Sequence, residues 1–77
     1  MTIRTLRKLC APHGLTIEET FDGLETAIEV ACPDGWCFDE DHRTVVECYY
    51  PGEKRDAVMN LVAEIEALLP LKKEDAE

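Results

Sequence analysis

The residues in this sequence that could carry out chemistry are four cysteines and two histidines, most of them in the middle of the chain. Cys32 and Cys37 are separated by four residues, a spacing within the looser range for zinc ligands, and His42 and Cys48 could complete a set of four. Such a set would make a small zinc-responsive domain, or a redox-responsive one if the thiols oxidise. Structural zinc sites usually have two closely spaced pairs. Because one loose pair is present here, we expect no metal site and no cofactor.

The same residues do not form a recognisable catalytic constellation. The sequence has no phosphate-binding glycine loop and no serine in a nucleophile elbow. His13 follows a predicted helix and His42 lies in a charged loop, and no nearby cysteine pairs with either as an activated nucleophile. Cys10 and Cys48 fall at apolar positions, where free thiols pack as small hydrophobic side chains. We therefore expect a protein that is not an enzyme.

Carboxylates are the most abundant reactive groups. The 77 residues include 17 acidic and 8 basic ones, for a formal net charge of −9, and 45% of them are hydrophobic. That composition is typical of a folded domain rather than a disordered tail. Three of the bases lie within residues 1–13, which contain no acid, so the remainder is more acidic still. Such a surface repels nucleic-acid phosphates and attracts basic proteins, which disfavours direct nucleic-acid binding.

Two helices are predicted to frame these residues. The first begins after Thr2 and is ended by Pro12 and Gly14, while the second begins after Gly52 and ends at Pro70. Each carries an apolar stripe at helical spacing. The stripe positions are 3, 6, 9 and 10 in the first helix and 58, 61, 62, 65, 68 and 69 in the second.

A β-hairpin is predicted directly after the first helix. Residues 15–21 alternate in polarity and lead into Asp22-Gly23, a strong signal for a two-residue hairpin turn. A turn at that position would place Ile17 opposite Ile28. The apolar residues of both strands would then share one face of a sheet.

One or two further strands are predicted before the second helix. A Pro-Asp-Gly turn should return the chain so that Val30 faces Phe38 in a neighbouring strand. The last strand covers residues 44–49, and we expect Val46 and Cys48 to point inward.

Together these elements predict an α+β fold in α-β-β-β-α order. Its sheet would be a three- to four-stranded antiparallel meander with the N- and C-terminal helices packed on one face. Residues 1–70 would form a single domain, and the charged residues 71–77 would fray. With no apolar run long enough for a membrane span and no signal-peptide pattern, we expect a cytoplasmic location and free thiols. The small core also allows a homodimer.

The order of elements resembles that of the double-stranded RNA-binding domain. Gly52, Lys54 and Arg55 stand at the start of the second helix, where that family has a basic cluster. The resemblance implies duplex RNA binding. The neighbouring Glu53 and Asp56 and the net charge of −9 oppose it, so this function is an alternative.

Acidic residues are predicted to gather on the open sheet face and in the turns beside it. In the predicted register Glu18 and Glu25 are diagonal neighbours, about 7–8 Å apart. Carboxylates at such separations can imitate a row of phosphates, because a groove lined by Lys and Arg responds to charge and spacing. Solubility alone is the competing explanation. The predicted partner-binding residues are Glu18, Glu25, Glu29, Glu47, Asp39, Glu40 and Asp41.

In size, charge and lack of a catalytic site, the whole chain resembles the small acidic inhibitors of phages and mobile elements, of the anti-CRISPR or anti-restriction type. This resemblance carries no motif, so no functional residue is transferred from those proteins. It implies a stoichiometric inhibitor that mimics nucleic acid and occupies the basic nucleic-acid-binding surface of a partner such as a CRISPR effector complex. The alternative from another class is the zinc- or redox-responsive domain built on Cys32, Cys37, Cys48 and His42.

Overall fold

The computed structural model describes residues 2–39 and 42–74. They form an α+β fold with a three-stranded antiparallel sheet, in the order β1-β2-β4, and a separate two-stranded sheet of β3 and β5. The predicted α+β class is confirmed. The elements are α1 (Ile3–Cys10), β1 (Thr16–Phe21), β2 (Thr26–Ala31), β3 (Trp36–Cys37), β4 (Thr44–Tyr49), α2 (Lys54–Leu68) and β5 (Lys72–Lys73).

The two helices are placed as their apolar spacing predicts. In α1 the buried residues are Leu6 and Cys10, one helical turn apart. A short 3-10 turn follows, and Gly14 ends it with a φ of 71°, a left-handed conformation that glycine adopts without steric cost. In α2 the buried stripe runs from Ala57 to Ile65, and the helix ends before Pro70.

The first hairpin has the predicted faces but not the predicted pairing. Ile17 lies opposite Val30 rather than Ile28, and Phe21 lies opposite Thr26. The strands are therefore displaced by two residues relative to the prediction. Because side chains alternate with a period of two, this displacement leaves Ile17, Ile28 and Val30 on the same inward face.

The displacement originates in the turn. The Asp22 carboxylate accepts hydrogen bonds from the backbone N–H of Leu24 at 2.9 Å and of Glu25 at 2.8 Å. These bonds hold Asp22 at the first corner of the turn, so that Gly23 and Leu24 form its centre. Phe21 and Leu24, predicted as an inward pair, are consequently about two-thirds exposed, at 64% and 66%.

The predicted third strand does not join the main sheet. Instead β2 pairs directly with β4, and β3 pairs with β5 near the end of the chain. Between β2 and β3 the chain turns at Gly35, where φ is 85°, and the Trp36 N–H donates to the Pro33 carbonyl at 3.1 Å. Phe38 then enters the core and is fully buried, rather than facing Val30 from an adjacent strand.

Part of the segment that we expected to fray is held in place. Lys72 and Lys73 pair with Cys37 and Trp36, and the Glu74 N–H donates to the Gly35 carbonyl at 2.8 Å. Leu71 packs against the core. Residues 75–77 lie outside the described residues.

Strand β4 faces the opposite way from the prediction. Val45 is buried and lies opposite Val30, whereas Val46 is 47% exposed and Cys48 is also exposed. The inward residues of β2 determine this outcome, since directly opposed residues in an antiparallel pair share a face. The predicted inward orientation of Val46 and Cys48 is therefore wrong.

Side chains from both helices and from the main sheet meet in one core. The Phe38 ring fills part of it from the loop after β3. No helix in the described part of the chain has the length and apolar character needed to cross a membrane. The buried residues of this core are Leu6, Cys10, Leu15, Ile28, Val30, Phe38, Val45, Val58, Leu61, Val62 and Ile65.

Candidate protein-interaction surface

The face of the main sheet that is turned away from the core is open to solvent, and we call it the outer face. Its side chains are exposed or half-buried. Most are small or β-branched, so the face is low in relief apart from its carboxylates. It consists of Thr16, Glu18 and Thr20 of β1, Ala27, Glu29 and Ala31 of β2, and Thr44, Val46 and Cys48 of β4.

Two of the predicted binding residues meet on this face. Glu18 lies directly opposite Glu29, and both are exposed. Directly opposed residues have Cβ atoms about 5 Å apart, so the two carboxylates repel each other. None of the ion pairs found among residues 2–39 and 42–74 involves either carboxylate. The face therefore presents two close and uncompensated negative charges.

Glu25 lies in the hairpin turn and not beside Glu18. Its carbonyl accepts the Asp22 N–H at 3.2 Å and its own N–H donates to the Asp22 carboxylate. The predicted diagonal contact between Glu18 and Glu25 is wrong, because it depended on a turn centred on Asp22-Gly23 rather than on Gly23-Leu24. The hydrogen bonds from the N–H groups of Glu25 and Leu24 lower the pKa of Asp22, which keeps this end of the sheet anionic.

Glu47 also differs from the prediction. It belongs to the inward-facing set of β4, opposite Ile28, and its carboxylate accepts a hydrogen bond from the Asn60 side chain of α2 at 3.4 Å. Its placement follows from the reversed orientation of β4. Glu47 is therefore not part of the outer face.

The charged loop before β4 is described in part. Asp39 is half-buried, and its carboxylate lies 2.8 Å from Nδ1 of His42 within a narrow turn. Glu40 and Asp41, the other two predicted binding residues of this loop, lie outside the described residues.

Five of the eight basic residues lie on the two helices. Lys54 and Arg55, at the start of α2, line a cavity of about 410 Å³ together with Thr2 and Ile3 at the start of α1. Lys54 also pairs with Glu19, which points away from the outer face, at 3.4 Å. Helix α1 contributes three more bases, Arg4, Arg7 and Lys8, all of them exposed.

The four predicted zinc or redox residues are not brought together as one set. Cys32 lies opposite Arg43, to which its N–H is bonded at 2.9 Å. Cys48 is five residues beyond Arg43 on the extended strand, which is roughly 17 Å along it. Cys37 is buried in β3, where its thiol lies 3.5 Å from the Lys72 carbonyl. Within the described ranges, no group of three His, Cys, Asp or Glu residues is arranged to hold a metal ion.

All four cysteines are free thiols. Burial raises the pKa of Cys10. Burial also raises the pKa of Cys32, as does the neighbouring Cys37 thiol, while Arg43 lowers it in part. Raised values keep a thiol protonated and therefore weakly nucleophilic at neutral pH.

A groove beside the free edge of β4 is a feature that the sequence analysis missed. One part of it is a cavity of about 250 Å³ bounded by Thr44, Val46, Glu64 and Leu68. A second cavity, of about 140 Å³, continues along β4 and the first turns of α2. The signal was present in the polar face of α2, where Glu53, Asp56, Asn60 and Glu64 recur at helical spacing.

Comparison of the chain with protein-family models, with curated proteins and with solved structures yields no match in any of the three.

Proposed function

We propose that this protein is a non-catalytic acidic binding protein whose outer face occupies the basic nucleic-acid-binding surface of a partner protein. The observation that carries the proposal is the direct opposition of Glu18 and Glu29 on an open sheet face, where no described base forms an ion pair with either carboxylate. In this proposal the protein acts in the cytoplasm as a stoichiometric inhibitor, and a CRISPR effector complex is one partner with a suitable surface.

The opposed carboxylates favour binding over solubility as the reason for the charge. Like charges directly across a strand pair destabilise the sheet, whereas a solubilising surface needs only dispersed charges of both signs. When a cationic groove of a partner binds over the two carboxylates, their repulsion is relieved and the pair stabilises the complex. Each carboxylate can accept two hydrogen bonds from one guanidinium. Two glutamates whose Cβ atoms lie about 5 Å apart therefore offer sites for adjacent arginines.

The rest of the surface also favours binding through the outer face. Threonine, alanine and Val46, which lies directly opposite Glu29, surround the carboxylates on the outer face, and these short side chains leave room for a partner to approach closely. The bases of α1 and the start of α2 lie on the helical side. The outer face has no base among its described residues, so it would turn toward a cationic partner during encounter.

The test is charge reversal with a matched control. The double variant Glu18→Lys/Glu29→Lys is compared with Asp34→Lys/Glu66→Lys, which makes the same change in net charge at exposed positions elsewhere. A partner is captured from the source cells with the wild-type protein, and its dissociation constant is measured at low and moderate salt with and without competing duplex DNA. We expect the first variant to lose at least about tenfold in affinity and most of its salt dependence, while the control changes little. Equal affinity of the first variant, or failure of DNA to compete, would refute the proposal.

Binding of duplex RNA is a second candidate, favoured by the basic residues on the two helices. Lys54, Arg55 and the bases of α1 are exposed cations of the kind that attract phosphate. Fluorescence anisotropy with a labelled RNA duplex separates the two functions. Saturable binding that Lys54→Glu/Arg55→Glu abolishes, and that Glu18→Lys/Glu29→Lys leaves unchanged, would support this candidate.

A further inference from the structure

Within residues 2–39 and 42–74, strand β4 is an edge strand whose outer backbone groups have no strand partner. The N–H of Cys32 donates to the carbonyl of Arg43, so in this antiparallel ladder the odd-numbered residues of β4 are the ones that bond to β2. The peptide groups of the intervening residues therefore point to the free edge. In the described part of the chain, no backbone bond joins Thr44, Val46 or Cys48 to another segment.

Tyr50, the next even-numbered residue after Cys48, has a backbone N–H that points the same way. The N–H of Tyr50 donates to the Glu53 carboxylate at 3.2 Å, on the side away from β2. The edge contains no proline, lysine or bulge of the kind that blocks strand addition. Val46, at its centre, is a β-branched residue that is 47% exposed.

The groove between this edge and α2 is lined by acids. Its two cavities have a combined lining without a lysine or arginine among the described residues. The residues that line it form a floor from β4 and a wall from α2, so a strand added at the edge would extend along the groove. The carboxylates are those of Asp39, Glu47, Glu53, Asp56 and Glu64.

We infer that the β4 edge accepts an extended, lysine- or arginine-rich segment of a partner protein as an added strand. Main-chain hydrogen bonds would give the affinity, and the acidic groove would select cationic side chains at alternate positions. A second copy of this chain is a poor occupant, because pairing two β4 edges would bring two acidic grooves together. The inference goes beyond the proposed function, since it uses a surface separate from the outer-face carboxylates Glu18 and Glu29.

The experiment uses a defined peptide probe. A capped peptide alternates lysine and valine over about six residues, the usual length of a strand. Two matched peptides replace lysine with glutamate, or carry N-methyl groups on one edge so that charge is kept and pairing is lost. Each is titrated into the isotope-labelled protein, and backbone amide shifts and dissociation constants are recorded. We expect the first peptide to shift the amides of Thr44, Val46 and Cys48, and both matched peptides to bind at least about tenfold more weakly.

Variants locate the site independently of the peptide. Val46→Pro removes an edge donor without removing a bond to β2, and we expect it to weaken binding about tenfold. Phe21→Pro makes the corresponding change on the free edge of β1 and should have no effect. Neutralising the groove with Glu53→Gln/Glu64→Gln should weaken binding and lower its salt dependence, whereas Glu18→Gln/Glu29→Gln should not.

The inference is overturned if the lysine–valine peptide does not bind or if its N-methylated form binds equally well. It is also overturned if the shifts fall on β1, or if the β4 amides shift with protein concentration alone, which would show that a second copy occupies the edge. The N-methylated peptide tests the wild-type protein and does not depend on whether Val46→Pro folds. Because the outer-face variants are measured in the same series, failure of this inference and failure of the proposed function give different results.

Discussion

Glu18 lies directly opposite Glu29 across the first pair of strands, and neither carboxylate has a basic partner among the described residues. The adjacent residue on the same strand, Glu19, points to the other side and pairs with Lys54. Neighbouring glutamates of one strand thus have opposite electrostatic surroundings. Substitution of Glu18 should therefore raise the free energy of unfolding more than the same substitution of Glu19.

We predict that Glu18→Thr stabilises the fold by about 0.2–1 kcal/mol at low salt, because it removes a cross-strand repulsion and adds a β-branched residue. Glu19→Thr is the control, and it should gain less or lose stability because it removes the Lys54 pair. Urea denaturation at low and high salt measures both. The gain at Glu18 should shrink as salt rises, and a gain independent of salt would show that repulsion is not its source.

The Asp22 turn should give the hairpin a dependence on pH. Hydrogen bonds from the N–H groups of Glu25 and Leu24 lower the pKa of Asp22 in the folded protein. The stability that these bonds contribute is therefore present above the unfolded pKa of about 3.9 and is lost as the pH falls through the lower folded value. Asp22→Asn keeps a neutral acceptor, so we expect its unfolding free energy to fall less than that of the wild type between about pH 5 and pH 2.

Asp22→Ala completes this comparison, since it removes the acceptor at every pH. Its stability should be below that of Asp22→Asn, with a similarly weak acid dependence. Denaturation curves across this pH range provide the measurement. If the wild type and Asp22→Asn lose stability in parallel, the carboxylate does not contribute in the way the structure indicates.

The orientation of β4 can be checked by truncating two adjacent valines. Val45 is 7% exposed and Val46 is 47% exposed. Val45→Ala removes buried methyl groups and should destabilise the protein by about 2 kcal/mol, while Val46→Ala should change stability by no more than about 0.5 kcal/mol. Thermal or chemical unfolding distinguishes them, and the reverse order would restore the orientation expected from the sequence.

Helix positions and the inward face of the first hairpin were predictable because each depends on a local period, whereas the face of β4 depends on its register with β2. The apolar spacing from Val58 to Ile65 is read directly from the chain, and it corresponds to the buried stripe of α2. The inward face of the first hairpin was also correct, since Ile17 and Val30 keep their parity under a displacement of two residues. Such patterns need no knowledge of distant contacts.

Register and partner choice were not predictable, because they depend on contacts between distant or competing groups. The Asp22 side chain moved the turn centre by one residue, which removed the expected contact between Glu18 and Glu25. Strand β3 (Trp36–Cys37) pairs with β5 (Lys72–Lys73), which lies more than thirty residues later in the chain. For the candidate site, the sequence therefore placed Glu18 and Glu29 on the outer face but gave Glu18 the wrong neighbour, Glu25.

The four thiols should react in an order that the structure specifies. Cys48 is exposed on the outer face, while Cys10 is 1% exposed and burial raises its pKa. We predict that alkylation of the native protein near neutral pH modifies Cys48 first and Cys10 last, with Cys32 slowed by its own raised pKa. Peptide mass spectrometry of a time course with iodoacetamide provides the order, and the denatured protein is the control in which all four should react at similar rates. Early modification of Cys10 in the native protein would mean that α1 leaves the core readily, and early loss of both Cys32 and Cys37 without alkylation would point to a disulfide between them.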